Sequence, residues 1–297
     1  MAGREILPFG AHACLLGESP LWHPHEQCLY AVDIPGREVL RFRADGGVLD
    51  RWPQPAEPGC IALVEGGGLL VARRDGLWQL DGHGGGTLLA GPPHDPARVR
   101  FNDGKVDPSG VFWVGSISDA REPEAALYRF DGRSRGWSTL AQGLTTVNGL
   151  AWTADGRRMH WSDTKAHCIY AADVDSATGL PGPTRVFAQF SPRVPGQPYA
   201  GRPDGAAMDT QGAYWVAMFE GGCLLRLSAG GELLERVVLP VSCPTMVAFG
   251  GEDLQTLFVT TSRERRPADE LAREPLAGRV LQLRVDVPGL PATLTQA

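Results

Sequence analysis

Lysine is scarce in this chain: of 28 basic residues only Lys105 and Lys165 are lysine, and the basic residues form no run or one-sided face. With a formal net charge of −6, the chain lacks the electrostatic footprint of a nucleic-acid binder. Cysteine pairing is absent too. Cys14, Cys28, Cys60, Cys168, Cys223 and Cys243 include no CxxC pair, and no histidine stands at zinc-finger spacing. An even number of cysteines would permit disulfides in an exported protein. The first segment, MAGREILPFGAHACLLGESP, however, lacks the basic end and long apolar stretch of a signal peptide. The expectation is six reduced, mostly buried thiols in a cytoplasmic protein. No apolar stretch approaches the roughly 18 residues of a membrane span, so no membrane partner is expected. HExxH and GxSxG are both missing, which argues against a zincin and a serine hydrolase. The GGG runs at 66–68 and 84–86 precede no helix and read as hairpin turns.

What is present is short and repetitive. Apolar residues make up 43 % of the chain, enough for a core, while 38 glycines and 24 prolines are spread along its whole length. Brief apolar runs recur: CLYAVDI (28–34), GLLVARR (68–74), VFWVGSI (111–117), RMHWSDT (158–164), AYWVAMF (213–219) and TLFVTTS (256–262). Each follows a turn-rich segment and precedes another short strand, such as EVLRFR or CLLRL. This is hairpin grammar with almost no helical periodicity.

The repeat can be measured between equivalent positions. Glu18, Cys60, Asn102, Asn148, Asp204 and Thr245 are spaced by 42, 42, 46, 56 and 41 residues. Four short strands in about 40–50 residues describe a propeller blade. Six units occupy residues 1–297, so the expected fold is all-β, a six-bladed β-propeller with four antiparallel strands per blade, in a single domain. A pair of β-sandwiches would not explain why polar residues recur at one phase. FSPRVPGQPYAGR (190–202) reads as an inserted loop, and RERRPADELAREPLAGR (263–279) as a second insertion with room for one helical turn. The last strand, near Val280–Val285, is expected to close the ring with N-terminal residues.

That shared phase carries the chemistry. Residues at one position of successive innermost strands form a ring at one mouth of the central channel. Glu18, Asn148 and Asp204 would therefore offer oxygen donors from three blades to one point. Two carboxylates and an amide suit Ca²⁺, Mg²⁺ or Mn²⁺ and tolerate Zn²⁺. Three protein ligands leave positions open, as in a catalytic site. Taken singly, NDG, NGL and PDG are ordinary turn dipeptides; it is their common phase that counts.

LGESPLW, RFNDGKVDPSGVFWVGS, NGLAW with the following SDT, PDGAAMDTQGAYWVA and the FGG…LFVTTS close together resemble the gluconolactonase/regucalcin (senescence marker protein) family, in that family's order and over essentially the entire chain. The resemblance implies a six-bladed propeller that binds one divalent cation and hydrolyses a small-molecule sugar lactone. It implies Glu18, Asn148 and Asp204 as metal ligands, Asp204 as the base, and Arg100 and Asn102 as substrate binders. It also implies an acidic sugar contact after VFWVGSI, for which Asp119 fits best, with Glu122 and Glu124 as rivals. Gluconolactone, galactonolactone, xylonolactone and arabinonolactone all remain open as substrates. The competing readings are a calcium-binding or protein-interaction propeller without catalysis, and an aryl-ester or phosphotriester hydrolase on the same metal. Trp22, Trp113, Trp152, Trp161 and Trp215 read as blade-packing core, and Asp163 as a turn cap.

Overall fold

The computed structural model describes residues 4–296. Six four-stranded antiparallel sheets stand around a central channel. Blade one comprises Gly17–His23, Cys28–Asp33, Glu38–Arg43 and Val48–Pro53, paired in chain order from the channel outwards. Blades two to five repeat this order, with innermost strands Pro58–Leu63, Val99–Val106, Val147–Trp152 and Arg202–Met208. Blade six differs: its inner three strands are Pro244–Gly250, Thr256–Thr261 and Arg279–Arg284, but its outermost strand is Ile6–Ala13. Ile6 pairs with Leu283 and Ala13 with Arg279, so the two ends of the chain close the ring as expected.

Composition along each blade follows burial. Inner strands such as Leu69–Arg73 and Cys28–Asp33 are covered on both faces and read as apolar runs up to their last residue. Outermost strands alternate instead: Val48–Pro53 switches between half-buried and exposed at each residue. The core is divided into six apolar clusters, one at each blade interface. The five tryptophans named above are all at most 5 % exposed and belong to this packing. All six cysteines are buried and unbridged.

The two insertions fall where their composition placed them. Residues 190–201 hold no regular structure, and a six-residue helix, Ala268–Arg273, sits between the second and third strands of blade six. The D-x-x-G segments are hairpin turns: Asp107 Oδ1 accepts from the amides of Ser109 and Val111 at 2.8 and 3.1 Å, and Asp209 Oδ1 from those of Gln211 and Ala213 at 2.9 Å each. Among the described residues no helix is long and apolar enough to cross a membrane.

Candidate active site

Every innermost strand is irregular at the same place. The pairing register shifts between Glu18 and Leu21, Pro58 and Cys60, Phe101 and Gly104, Asn148 and Ala151, Pro203 and Ala206, and Pro244 and Met246. A bulge sets two residues against one and re-aims a side chain. Here it falls at or beside the repeated polar position. Ser19 takes φ 49° and Gly149 φ 64°, the left-handed region, immediately after Glu18 and Asn148. At Gly149 a Cβ would also overlap the Tyr214 hydroxyl, which donates to the Gly149 carbonyl at 2.6 Å.

The residues so aimed are buried: Glu18 is 8 % exposed, Asn102 8 %, Asn148 3 % and Asp204 7 %. A hydrogen-bonded chain runs through Asn102 and Asn148 and spans blades three to five. Arg100 donates through Nη1 to the Phe101 carbonyl and to Asn102 Oδ1, each at 2.9 Å. Asn102 Nδ2 donates to Asn148 Oδ1 at 2.6 Å and to the Val147 carbonyl at 3.0 Å. Asn148 Nδ2 donates to Thr164 Oγ1 at 2.8 Å, and that hydroxyl donates to the Pro203 carbonyl at 2.8 Å. The amide of Asn148 is thereby held on both sides, with one lone pair of Oδ1 left over.

The carboxylates are under strain of charge. Burial, then repulsion from Asp204 and Asp103, pushes the Glu18 carboxyl well above its ordinary range. Burial pushes Asp204 up as well, with Asp103 adding to the effect and Arg202, Arg121 and Arg100 opposing it. Among the described residues the only hydrogen bond to the Glu18 carboxylate comes from the Ser19 amide at 3.1 Å, and none reaches that of Asp204. Burial, with repulsion from Arg121 and Arg74, brings Arg100 down to about 10. No three His, Cys, Asp or Glu side chains among the described residues form a metal-holding group. Two repelling carboxylates beside an amide oxygen are nonetheless the donor set a hard divalent cation takes.

Several site residues escaped the sequence reasoning although they lie in quoted motifs. Asp103, from RFNDGK, is 3 % exposed; its Oδ2 accepts from the Leu150 amide at 3.1 Å, and burial raises its carboxyl to about 6 against the pull of Lys105. Lys105 donates to the Ala206 carbonyl at 2.7 Å. Thr164, the last residue of SDT, orients Asn148, whereas Asp163 caps its turn by accepting from the amides of Thr145, Thr146 and Lys165. Asp119 is engaged elsewhere: its two oxygens accept from Arg74 at 2.9 and 3.1 Å. Glu124 pairs with Arg98, and Glu122 is exposed.

The far end of the channel is different in kind. A cavity of about 380 Å³ lies there, lined by Trp22, Lys105, Trp152, Met208 and Phe249 and covered by Leu290–Thr293. Its walls are mainly apolar, and none of its lining residues is acidic. The fold has counterparts in known proteins. The model of the SMP-30/gluconolactonase/LRE-like region matches residues 16–263. The chain belongs to this family. Among its relatives, a 6-deoxy-6-sulfogluconolactonase of Pseudomonas putida is 43 % identical over 277 residues, 93 % of each chain. The pentonolactonase XacC of Haloferax volcanii is 35 % identical over 258 residues, 84 % of this chain and 82 % of the relative. The crystal structure of the calcium-binding protein regucalcin from Agrobacterium tumefaciens superposes with a TM-score of 0.91 at 26 % identity, over 100 % of both chains.

Proposed function

We propose that the chain hydrolyses a sugar lactone to its aldonic acid at the polar mouth, with one divalent cation held by Glu18, Asn148 and Asp204. The observation that carries the reading is the pair of buried carboxylates, Glu18 and Asp204, which repel one another from different blades; among the described residues Glu18 accepts only from the Ser19 amide and Asp204 from no donor, and neither forms an ion pair. A structural core does not gather such charge without a ligand, because each buried, unpaired carboxylate is costly. Two relatives are named for lactone hydrolysis and a structural neighbour for calcium binding, which supports the same reading.

The roles follow from the contacts. A bound cation would polarise the lactone carbonyl and balance the charge of the two carboxylates. Asp204 takes the proton of the attacking water, a task the neutral amide of Asn148 cannot perform. Asn102 is fixed by Arg100 and by blade four, so its position is set before substrate arrives. Arg100, half-buried at the mouth, has guanidinium donors left for ring hydroxyls. A polyhydroxylated substrate requires such partners, since an analogue lacking a hydroxyl leaves them unpaired.

The test is a panel of aldonolactones assayed by acid release, with Ca²⁺, Mg²⁺, Mn²⁺ and Zn²⁺ added back singly to chelated protein. Activity should vanish on chelation and return with at least one ion. Full turnover in rigorously metal-free protein would overturn the cation's role, and inactivity on every lactone would overturn the reaction.

A further inference from the structure

We propose that the cavity at the far end of the channel binds a small apolar molecule ending in a single carboxylate, and that Lys105 is the residue that holds the carboxylate. The site is separate from the polar mouth and does not rest on the lactonase reading.

The cavity is built from a second ring of the propeller's repeat. Three residues beyond Glu18, Asn102, Asn148, Asp204 and Thr245 stand Leu21, Lys105, Ala151, Ala207 and Ala248, and Ala62 takes this place in blade two. Each pairs with the second strand of its own blade: Leu21 with Tyr30, Ala62 with Leu70, Lys105 with Trp113, Ala151 with His160, Ala207 with Trp215 and Ala248 with Phe258. All six line the cavity. Five are apolar, four of them alanine, and the sixth is a lysine. Blade six lies opposite blade three, so the short side chain of Ala248 leaves space across the channel from Lys105.

Lys105 enters this ring as a cation with unused donors. Its Nζ donates to the Ala206 carbonyl of blade five at 2.7 Å, which places the ammonium out in the channel rather than against its own blade. That bond uses one of three donors. Asp103 and Asp107, two residues to either side, are engaged elsewhere: Asp103 Oδ2 accepts from the Leu150 amide at 3.1 Å, and Asp107 Oδ2 from the Trp113 indole at 2.8 Å. Among the described residues Lys105 forms no ion pair. Burial lowers its pKa, with Asp103 opposing. A covered ammonium that meets only a neutral carbonyl is costly until an anion joins it.

The surroundings supply little else that is polar. Apart from tryptophan indoles, the other polar side chains on the walls are Thr293 and Ser19, whose hydroxyl accepts from the Ile61 amide at 3.0 Å. The cover is a strap. The Leu290 amide donates to the Met208 carbonyl of blade five at 3.0 Å, and the Thr295 amide to the Leu63 carbonyl of blade two at 2.9 Å, so residues 291–294 cross the far mouth between opposite blades. The volume of about 380 Å³ falls within the roughly 300–1,000 Å³ of small-molecule pockets, which are mainly apolar with a few polar groups that fix orientation. Water finds few partners on such walls. One ammonium matches one carboxylate, whereas a dianion would leave a charge unpaired among Trp22, Trp152 and Phe249.

The experiment titrates butanoate, hexanoate and octanoate into the full chain by calorimetry, with Ca²⁺ and after chelation, and uses octanol as the uncharged control. Octanoate should bind once per chain, with similar affinity in both conditions. Each buried methylene is worth about fourfold, so affinity should rise about 10-fold with every two carbons. Octanol should bind about 10- to 100-fold more weakly, the worth of a hydrogen bond to a charged group. Lys105→Met keeps most of the side chain's bulk and should weaken octanoate by that same factor while leaving octanol unchanged. Ala248→Phe fills the space without touching the cation and should abolish binding of both. Absence of octanoate binding to the wild-type chain, octanol binding as tightly as octanoate, or octanoate affinity unmoved in either variant would overturn the proposal. Binding seen only with Ca²⁺ would place the carboxylate at the polar mouth and overturn it as well.

Discussion

Thr164→Val is the sharpest probe of how the site is held. The two side chains are nearly equal in size, yet the change deletes a hydroxyl that accepts from Asn148 Nδ2 and donates to the Pro203 carbonyl, both at 2.8 Å. Thr164 is 7 % exposed, so the abandoned amide and carbonyl find little water. Leaving a buried polar group unpaired costs about 1–3 kcal/mol, so two partly compensated groups should cost about 2–4 kcal/mol. For a chain of this length that is a fall in Tm of roughly 3–6 °C, readable by calorimetry in chelated protein. The Asn148 amide would also lose the contact that fixes its orientation. Removal of such an outer contact typically weakens metal affinity about 10- to 100-fold, measured by titration with Ca²⁺. Thr164→Ser keeps the hydroxyl and should recover most of both losses. A Thr164→Val protein with unchanged Tm and unchanged Ca²⁺ affinity would refute the claim that this chain of hydrogen bonds positions the amide.

Three other outcomes are expected. Asp204→Asn should weaken cation binding modestly but lower kcat at saturating cation by about 10²–10⁴-fold, whereas Asn148→Asp should bind the cation at least as tightly; near-normal kcat in Asp204→Asn would leave Asp204 as a ligand only. His160, buried against Phe187 and Tyr214 and brought down to about 4 by burial, should titrate only when the fold is lost. Its folded value lies below the unfolded one, so stability is full above about pH 6.5 and falls by up to about 3 kcal/mol toward pH 4; in denaturant melts His160→Phe should flatten that slope, and an identical slope would assign the acid sensitivity elsewhere. Asp119→Ala should cost less than about 1 kcal/mol by melting, since its pair with Arg74 is solvent-exposed, and a shifted lactone profile would place its carboxylate back at the sugar.

Much of the fold was legible because a propeller writes its period into the chain. Glu18, Asn102, Asn148 and Asp204 recur at one phase, and each stands at a register shift of an innermost strand. The insertions at 190–202 and 263–279 were visible as breaks in hairpin grammar. What was not legible depends on contacts between blades. Nothing near Asp119 in the sequence indicates that Arg74, 45 residues earlier and in another blade, takes its carboxylate. Trp22 and Trp152 were read as packing, which they are, but they also wall the cavity at the far mouth. The tail that covers that cavity carries no periodic signal at all.

The closure of blade six by Ile6–Ala13 makes the order of synthesis matter. This strand leaves the ribosome some 270 residues ahead of its partner, Arg279–Arg284. At about 5–20 residues per second the wait is roughly 15–50 s. Throughout it an eight-residue strand with unpaired amides and carbonyls has no legitimate neighbour. Five blades can pair within themselves as they emerge; the sixth cannot close until Arg279–Arg284 has been made. Chains cut short before Arg279–Arg284 therefore keep Ile6–Ala13 as a sticky edge, and such products should be cleared or aggregate through it.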